Sequence, residues 1–393
     1  MMLQIILFLL LGVTAGTITG LIPGIHINLV GIFLVSIYSV IKINPSFLII
    51  FITAMAITHT FIDFIPSIFL GCPDTDTELS ILPGHELLNE GFGYEAIILS
   101  AYGGIAAIII LIIISIPSIF IIPKIYETMK VLTPGLLILA SFFLISTEKN
   151  KTKAWIIFLL SGILGLFTLN YSGTKEPLLP LLTGLFGASM LIISIKNKTK
   201  IPDQQITKVK TSILQPVIGA MIASPICSFL PGMGSGQAAI LGNTISKTDK
   251  KGFLVLLGAT NTLVMGFSFI ALYAVSKTRT GAAVAIKEIT GILTKQEIVL
   301  ILAITLIAGF ISFLLTIFLA RYFAKRIQKV NYKNLSILTL GILIMLIILI
   351  SKLKGVGIFF LATLLGIYSI STKVKKTQMM GCLLIPTIIL YLH

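Results

Sequence analysis

Fourteen apolar stretches divide this chain of 393 residues, near 2–20, 27–41, 47–70, 95–122, 132–147, 154–170, 177–195, 213–230, 236–246, 253–275, 297–320, 335–351, 355–371 and 378–392. Each is bounded by charge or by Pro/Gly, and about 20 apolar residues make a helix that crosses a bilayer. The residues are 56% hydrophobic and only 11% charged, whereas a soluble domain carries about a quarter charged residues. A soluble enzyme, a secreted disulfide scaffold and a nucleic-acid-binding domain are all excluded. The fold class is all-α: a polytopic membrane protein of about 12–14 membrane segments.

The second and ninth stretches are short for a full crossing, and each follows a Pro-Gly break. The pairs 2–41 and 213–246 either cross twice or form re-entrant helical hairpins. Broken helices at membrane depth are tolerated where they line a cavity or are buried in protein. The first stretch lacks a basic n-region and a clear cleavage site, so it reads as a retained membrane helix.

The net charge of +15 belongs to loops and sets orientation. With every stretch crossing, 19 of the 29 Lys and Arg fall on one side, in the groups 149–153, 196–210, 247–251, 321–333 and 373–376. The positive-inside rule makes that side cytoplasmic and puts both termini outside. Cys72, Cys227 and Cys382 lie too far apart for a disulfide framework or a metal-site spacing.

An internal repeat is the most informative pattern. G-L-I-P-G-I-H-I-N at 20–28 matches S-F-L-P-G-M-G-S-G at 228–236, and T-H-T at 58–60 is echoed by T-N-T at 260–262. The offsets are 208 and 202 residues, so one register relates both pairs. The first and eighth stretches correspond, and an odd separation inverts the second copy relative to the membrane. Inverted repeats with broken helices near the midplane are the pattern of secondary transporters. The expected organisation is a first transmembrane repeat over 1–195, a basic cytoplasmic linker over 196–212, and a second, inverted repeat over 213–393.

Pro lacks an N–H and Gly permits positive φ, so each Pro-Gly pair ends one helix and starts another. A helix starting inside the membrane offers unpaired N–H groups to a carboxylate or phosphate. The candidate substrate site is therefore Pro23, Gly24, His26 and Asn28 with Pro231, Gly232, Gly234, Ser235 and Gly236; Thr17, Thr19 and Gln237 add polar groups. A tight kink between packed helices is the purely structural reading of the same turns.

His59 and Asp63 stand four apart in an apolar span and so share a helix face. An ionisable pair there is a candidate proton or cation relay. Asn261, followed by Thr262, occupies the position of His59 in the second copy, and Met265 replaces Asp63. A locally satisfied polar pair is the alternative. The acidic loop 71–91, with Asp74, Asp76, Glu78, Glu86 and Glu90, fits neither an EF-hand nor a zincin motif and reads as solvated. Gly232, Gly234 and Gly236 follow a membrane helix rather than a strand, so they make no dinucleotide site, and no enzyme motif, cofactor site or metal site emerges.

At these motifs the chain resembles a short, divergent member of the TctA-type family, the large permease subunits of tripartite tricarboxylate transporters. The residues carrying the resemblance are Gly20, Pro23 and Gly24, then Pro231, Gly232 and Gly234, then Ser67, Ile68, Pro73, Gly84, Gly91 and Ala96. It covers about 12–104 and 215–290; His26, Asn28 and Asp74 depart from the family pattern. The resemblance implies uptake of small di- or tricarboxylate-like anions, driven by a proton or sodium gradient. It further implies a multi-pass protein of a prokaryotic plasma membrane, with a small membrane subunit and an extracytoplasmic binding protein as partners. The alternatives are a polyprenyl-phosphate translocase and a non-transporting structural membrane subunit.

Overall fold

The computed structural model describes residues 2–22, 27–38, 43–71, 77–146, 148–170, 177–196, 202–207, 209, 211–229, 234–327, 332–372, 374 and 376–392. Helices account for nearly all of them, and no strand occurs among the described residues. Seven helices are long and apolar enough to cross a membrane, and four shorter apolar ones accompany them. With two 12-residue helices and a break in a long one, every apolar stretch of the sequence has a helical counterpart.

The first half opens with α1 (Met2–Leu21), α2 (Ile27–Tyr38), α3 (Pro45–Ile62) and α4 (Phe64–Leu70). Asn44 caps α3, its side chain accepting from Ser46 N at 2.9 Å, and Pro45 follows where a missing N–H costs nothing. The short break at Asp63 also has a cause in the sequence. Pro66 has no N–H to give the Ile62 carbonyl, and Ser67 Oγ donates to the Asp63 carbonyl at 2.7 Å. Next come α5 (Ile81–Asn89) and α6 (Gly93–Ser146), the latter with Pro117, Pro123 and Pro134 inside it. The helix runs on through 124–133, where a connecting loop was expected; Lys124, Glu127 and Lys130 recur at helical spacing.

After α7 (Lys151–Asn170), α8 (Leu178–Leu182) and α9 (Ser189–Lys196), the linker leads into the second half. It comprises α10 (Leu214–Phe229), α11 (Ser235–Ser246), α12 (Lys250–Val275), α13 (Gly281–Thr290), α14 (Lys295–Ile327), α15 (Tyr332–Ser371) and α16 (Gly381–Leu392). Helix α15 is interrupted at Lys352, with φ 58°, between the two apolar stretches read from sequence.

Helices α3 and α12 form the centre. In the most apolar windows of the α3–α4 span and of α12, 94% of residues are buried, against 28% for α1 and for the first part of α6. Glycines set the packing. Gly12, Gly16 and Gly20 form a stripe on α1 along which Cβ atoms would fall 2.5 Å from Phe51 O, 2.4 Å from Met55 O and 2.8 Å from Ile62 Cβ. The order of these contacts makes α1 parallel to α3. Small residues at four-residue spacing let two membrane helices approach to backbone contact. Between the halves, a Cβ on Gly258 of α12 would lie 1.9 Å from Ser100 O, and one on Gly103 of α6 2.0 Å from Val255 O. The two halves therefore interleave: α12 lies on α6, and α3 lies on α14.

Helices α10 and α11 form an antiparallel hairpin. Gln215 Nε2 donates to Ser246 O at 2.7 Å, and a Cβ on Gly219 would lie 2.6 Å from Gly242 O. Twelve residues give α2 and α11 about 18 Å each, short of a hydrocarbon core of about 30 Å. At the open end of this hairpin, Lys251 Nζ lies 2.6 Å from Glu95 Oε1, while Lys250 Nζ lies 2.6 Å from Glu86 and 3.5 Å from Glu90. Gln204 of the linker reaches the same end, accepting from Gly93 N at 2.8 Å and donating to Leu88 O at 3.0 Å. The linker and the 247–251 group, assigned to one side by charge, thus meet at one end of the protein.

Candidate functional site

The polar face of α3 lies in the buried centre. Thr58, His59, Thr60 and Asp63 are all 3% exposed or less. Thr58 accepts from Ser312 of α14 at 2.8 Å. His59 Nδ1 lies 3.0 Å from Thr19 Oγ1, and that hydroxyl already gives its hydrogen to Gly16 O at 3.1 Å.

Helix α12 meets this face with the matching motif. Asn261 Nδ2 donates to Asp63 Oδ2 at 2.9 Å and to Thr60 O at 3.3 Å. Thr60 Oγ1 spends its hydrogen on Ile57 O at 2.8 Å, so the 3.4 Å contact with Thr262 Oγ1 is donated by Thr262. His59, Asp63, Asn261 and Thr262 are therefore brought together, with Thr19, Thr58, Thr60 and Ser312 around them. Ser312 gave no signal in the sequence, being one hydroxyl in the long apolar run of α14.

Of the two Pro-Gly turns, Pro23, Gly24 and His26 lie outside the described residues, as do Pro231 and Gly232. Asn28 sits on the first turn of α2. The flanks are placed. Gly20, at the end of α1, packs against Ile62 and Asp63, so the first turn leaves α1 beside the ionisable residues. Gly234 is the N-cap of α11, and Ser235 and Gly236 begin that helix, buried. Gln237 Oε1 accepts from Gly234 N at 2.8 Å, one half of a capping box; glycine has no side chain to return the bond. The hairpin register sets Ser224 level with Gln237 and Cys227 level with Gly234.

Of the acidic loop, Asp74 and Asp76 lie outside the described residues. Glu86 and Glu90 are exposed partners of Lys250. No cluster of three His, Cys, Asp or Glu able to hold a metal occurs among the described residues.

The model of the tripartite tricarboxylate transporter TctA family matches residues 6–381. The chain belongs to this family. The TctA family is one of transporters, so this member is a transport protein and not an enzyme. An uncharacterized protein of Methanocaldococcus jannaschii is 32% identical over 405 residues, covering 99% of either chain. No solved structure matches. Family membership, the archaeal relative and the apolar helices together make this TctA protein a multi-pass prokaryotic membrane protein. The family match spans the central crossing of α3 and α12 and the flanks of both Pro-Gly turns.

Proposed function

We propose that the protein carries a small di- or tricarboxylate-like anion across the plasma membrane by ion-coupled alternating access. The halves 1–195 and 213–393 are two inverted repeats, joined by the basic cytoplasmic linker 196–212. Substrate binds at the paired turns, with Pro23, Gly24, His26 and Asn28 in one half and Pro231, Gly232, Gly234, Ser235 and Gly236 in the other. His59, Asp63, Asn261 and Thr262 take up the coupling proton or sodium. A small membrane subunit and an extracytoplasmic binding protein complete the transporter, as the family name suggests.

The observation that carries this reading is the Asp63–Asn261 hydrogen bond at 2.9 Å. A carboxylate 2% exposed is held across the two halves by the amide that echoes His59, which lies one helical turn before the carboxylate. A carboxylate inside a membrane protein is costly and marks an ion or proton pathway. Its partner on the other half lets loading of the carboxylate change how the halves fit together. Support for the repeat comes from helix directions within each half: α1 runs parallel to α3, and Pro216 near the start of α10 packs on Gly252 near the start of α12.

Uptake by purified protein in liposomes tests the function, with citrate, succinate and a polyprenyl phosphate as substrates under an imposed proton or sodium gradient. Carboxylate uptake that needs one of the gradients is the expected result. Movement of the polyprenyl phosphate alone would replace the substrate assignment. Absence of any movement, with the binding protein and small subunit supplied, would overturn transport by this site.

A further inference from the structure

The N-terminus of α11 combines three features that the turn motif alone did not reveal. Gly234 has no side chain, so the N-cap residue itself supplies no oxygen to the N–H groups of Gly236 and Gln237. Gln237 is 3% exposed, and its Nε2 has no hydrogen-bond partner among the described residues. Its orientation is fixed, because the Gly234 N–H needs an acceptor and so holds Oε1. The other arm of the same planar amide, Nε2, therefore lies at the mouth of the helix N-terminus. A buried amide donor left unpaired is costly, and a ligand acceptor would recover that cost.

A cation stands nearby. Arg279, in the connection between α12 and α13, has an Nε with no exposed surface. Its guanidinium lies within electrostatic reach of Cys227, which is level with Gly234 in the hairpin, and of Tyr391. The Ser224 hydroxyl, buried and without a partner among the described residues, is level with Gln237. From sequence, Arg279 counted only as one of the loop cations.

We infer that the α11 N-terminus is an oxyanion subsite in which the Gln237 amide donates to a carboxylate or phosphate oxygen and Arg279 supplies the countercharge. The inference rests on the anion-transport reading and deepens it. The second Pro-Gly turn recognises charge, and Gln237 and Arg279 determine specificity there. The helix N-terminus, with about half a positive charge, and the guanidinium act together on one oxyanion.

Gln237→Glu is the sharpest test. Glutamate keeps an oxygen to accept from Gly234 N, so the half capping box survives, and a carboxylate in a first helical turn is favourable. It also puts a fixed negative charge where the ligand oxyanion would sit. Binding of citrate, succinate and a polyprenyl phosphate to purified protein is measured by calorimetry, with melting temperature in parallel. In Gln237→Glu, affinity should fall by more than about 100-fold with the melting temperature kept or raised. Arg279→Gln should lose about 10- to 100-fold, and Arg279→Lys less. Which of the three ligands binds wild type distinguishes a soluble carboxylate from a lipid phosphate. If wild type binds an oxyanion and Gln237→Glu and Arg279→Gln bind it equally well, the subsite is wrong and the transport reading stands. If wild type binds none of them, both fall.

Discussion

Thr60 Oγ1 and Thr262 Oγ1 meet at 3.4 Å in the buried centre, where α3 and α12 cross. They hold the same place in the T-H-T and T-N-T motifs. In the proposed inverted repeat, an axis of approximate two-fold symmetry would pass between them. Under that symmetry the mate of the Asp63–Asn261 pair is Met265 with His59, which contains no carboxylate. The proposed transporter thus has one carboxylate at its axis, and its coupling is asymmetric although its scaffold repeats.

Asp63 is the first residue to test. Asp63→Asn keeps the shape and can still hydrogen-bond Asn261, so the protein should fold with a nearly unchanged melting temperature in detergent. Gradient-driven uptake should be abolished. Exchanging the partners, Asp63→Asn with Asn261→Asp, returns a carboxylate to the same pair and should restore part of the uptake. Wild-type ion dependence in Asp63→Asn would remove the carboxylate from coupling.

Glycines with the same helical environment should respond in opposite directions. A Cβ on Gly258 meets Ser100 O at 1.9 Å, so Gly258→Ala must push α12 away from α6 and should cost about 1–3 kcal/mol or more. Gly357 in α15 has nothing within 4 Å of its Cβ position, so Gly357→Ala should stabilise by about 0.5–1 kcal/mol through helix propensity. Thermal unfolding of both variants in one detergent gives the comparison. An equal shift would mean that the interleaving of the halves does not depend on backbone contact.

The helical segments and the central crossing were legible because membrane helices announce themselves by length and the T-H-T echo by register. The glycine stripe Gly12, Gly16 and Gly20 went unread in the sequence, although spacing by four is the signal of a close-packed face. Two things were not legible. Continuation of α6 through Lys124 and Lys130 was hidden, because three prolines and three charges resemble a loop when no tertiary contact is known. Arg279 was hidden for a different reason: only the fold brings a connecting segment's guanidinium within electrostatic reach of Cys227.

The ion pairs at the end near the linker should divide by burial. Glu95 is 5% exposed and bonded to Lys251 at 2.6 Å, so Lys251→Met leaves a buried carboxylate without its cation. The expected loss is about 1.5–3 kcal/mol, the worth of a hydrogen bond to a charged group. Lys250 and Glu86 are 41% and 45% exposed in their side chains, and Lys250→Met should cost about 0–1 kcal/mol. Salt should weaken the Lys250 contribution and leave that of Lys251 nearly intact. Unfolding at low and high salt separates them; similar losses for both variants would show that Glu95 gains nothing from its burial.

The hairpin α10–α11 makes a prediction about depth. Its two ends lie together, as Gln215 bonds Ser246, and its second arm is too short to cross. A re-entrant hairpin returns to the side it left without its turn emerging on the far face. Cys227 and Cys382 are fully buried, so only Cys72 need be replaced to give an unreactive background. In that background, Thr211→Cys and Thr248→Cys should react with a bulky, membrane-impermeant thiol reagent from the same side, which charge assigns to the cytoplasm. Lys277→Cys, beyond the far end of α12, should react from the other. Met233→Cys, in the turn itself, decides between two crossings and re-entry. Two crossings would put it in the outer aqueous phase, where the bulky reagent would label it in right-side-out vesicles. Re-entry keeps it within the protein, out of reach of a reagent too large for a substrate cavity. The expected result is no outside labelling of Met233→Cys alongside full labelling of Lys277→Cys. Rapid outside labelling of both would turn α10 and α11 into crossing helices and move the anion subsite from membrane depth to the surface.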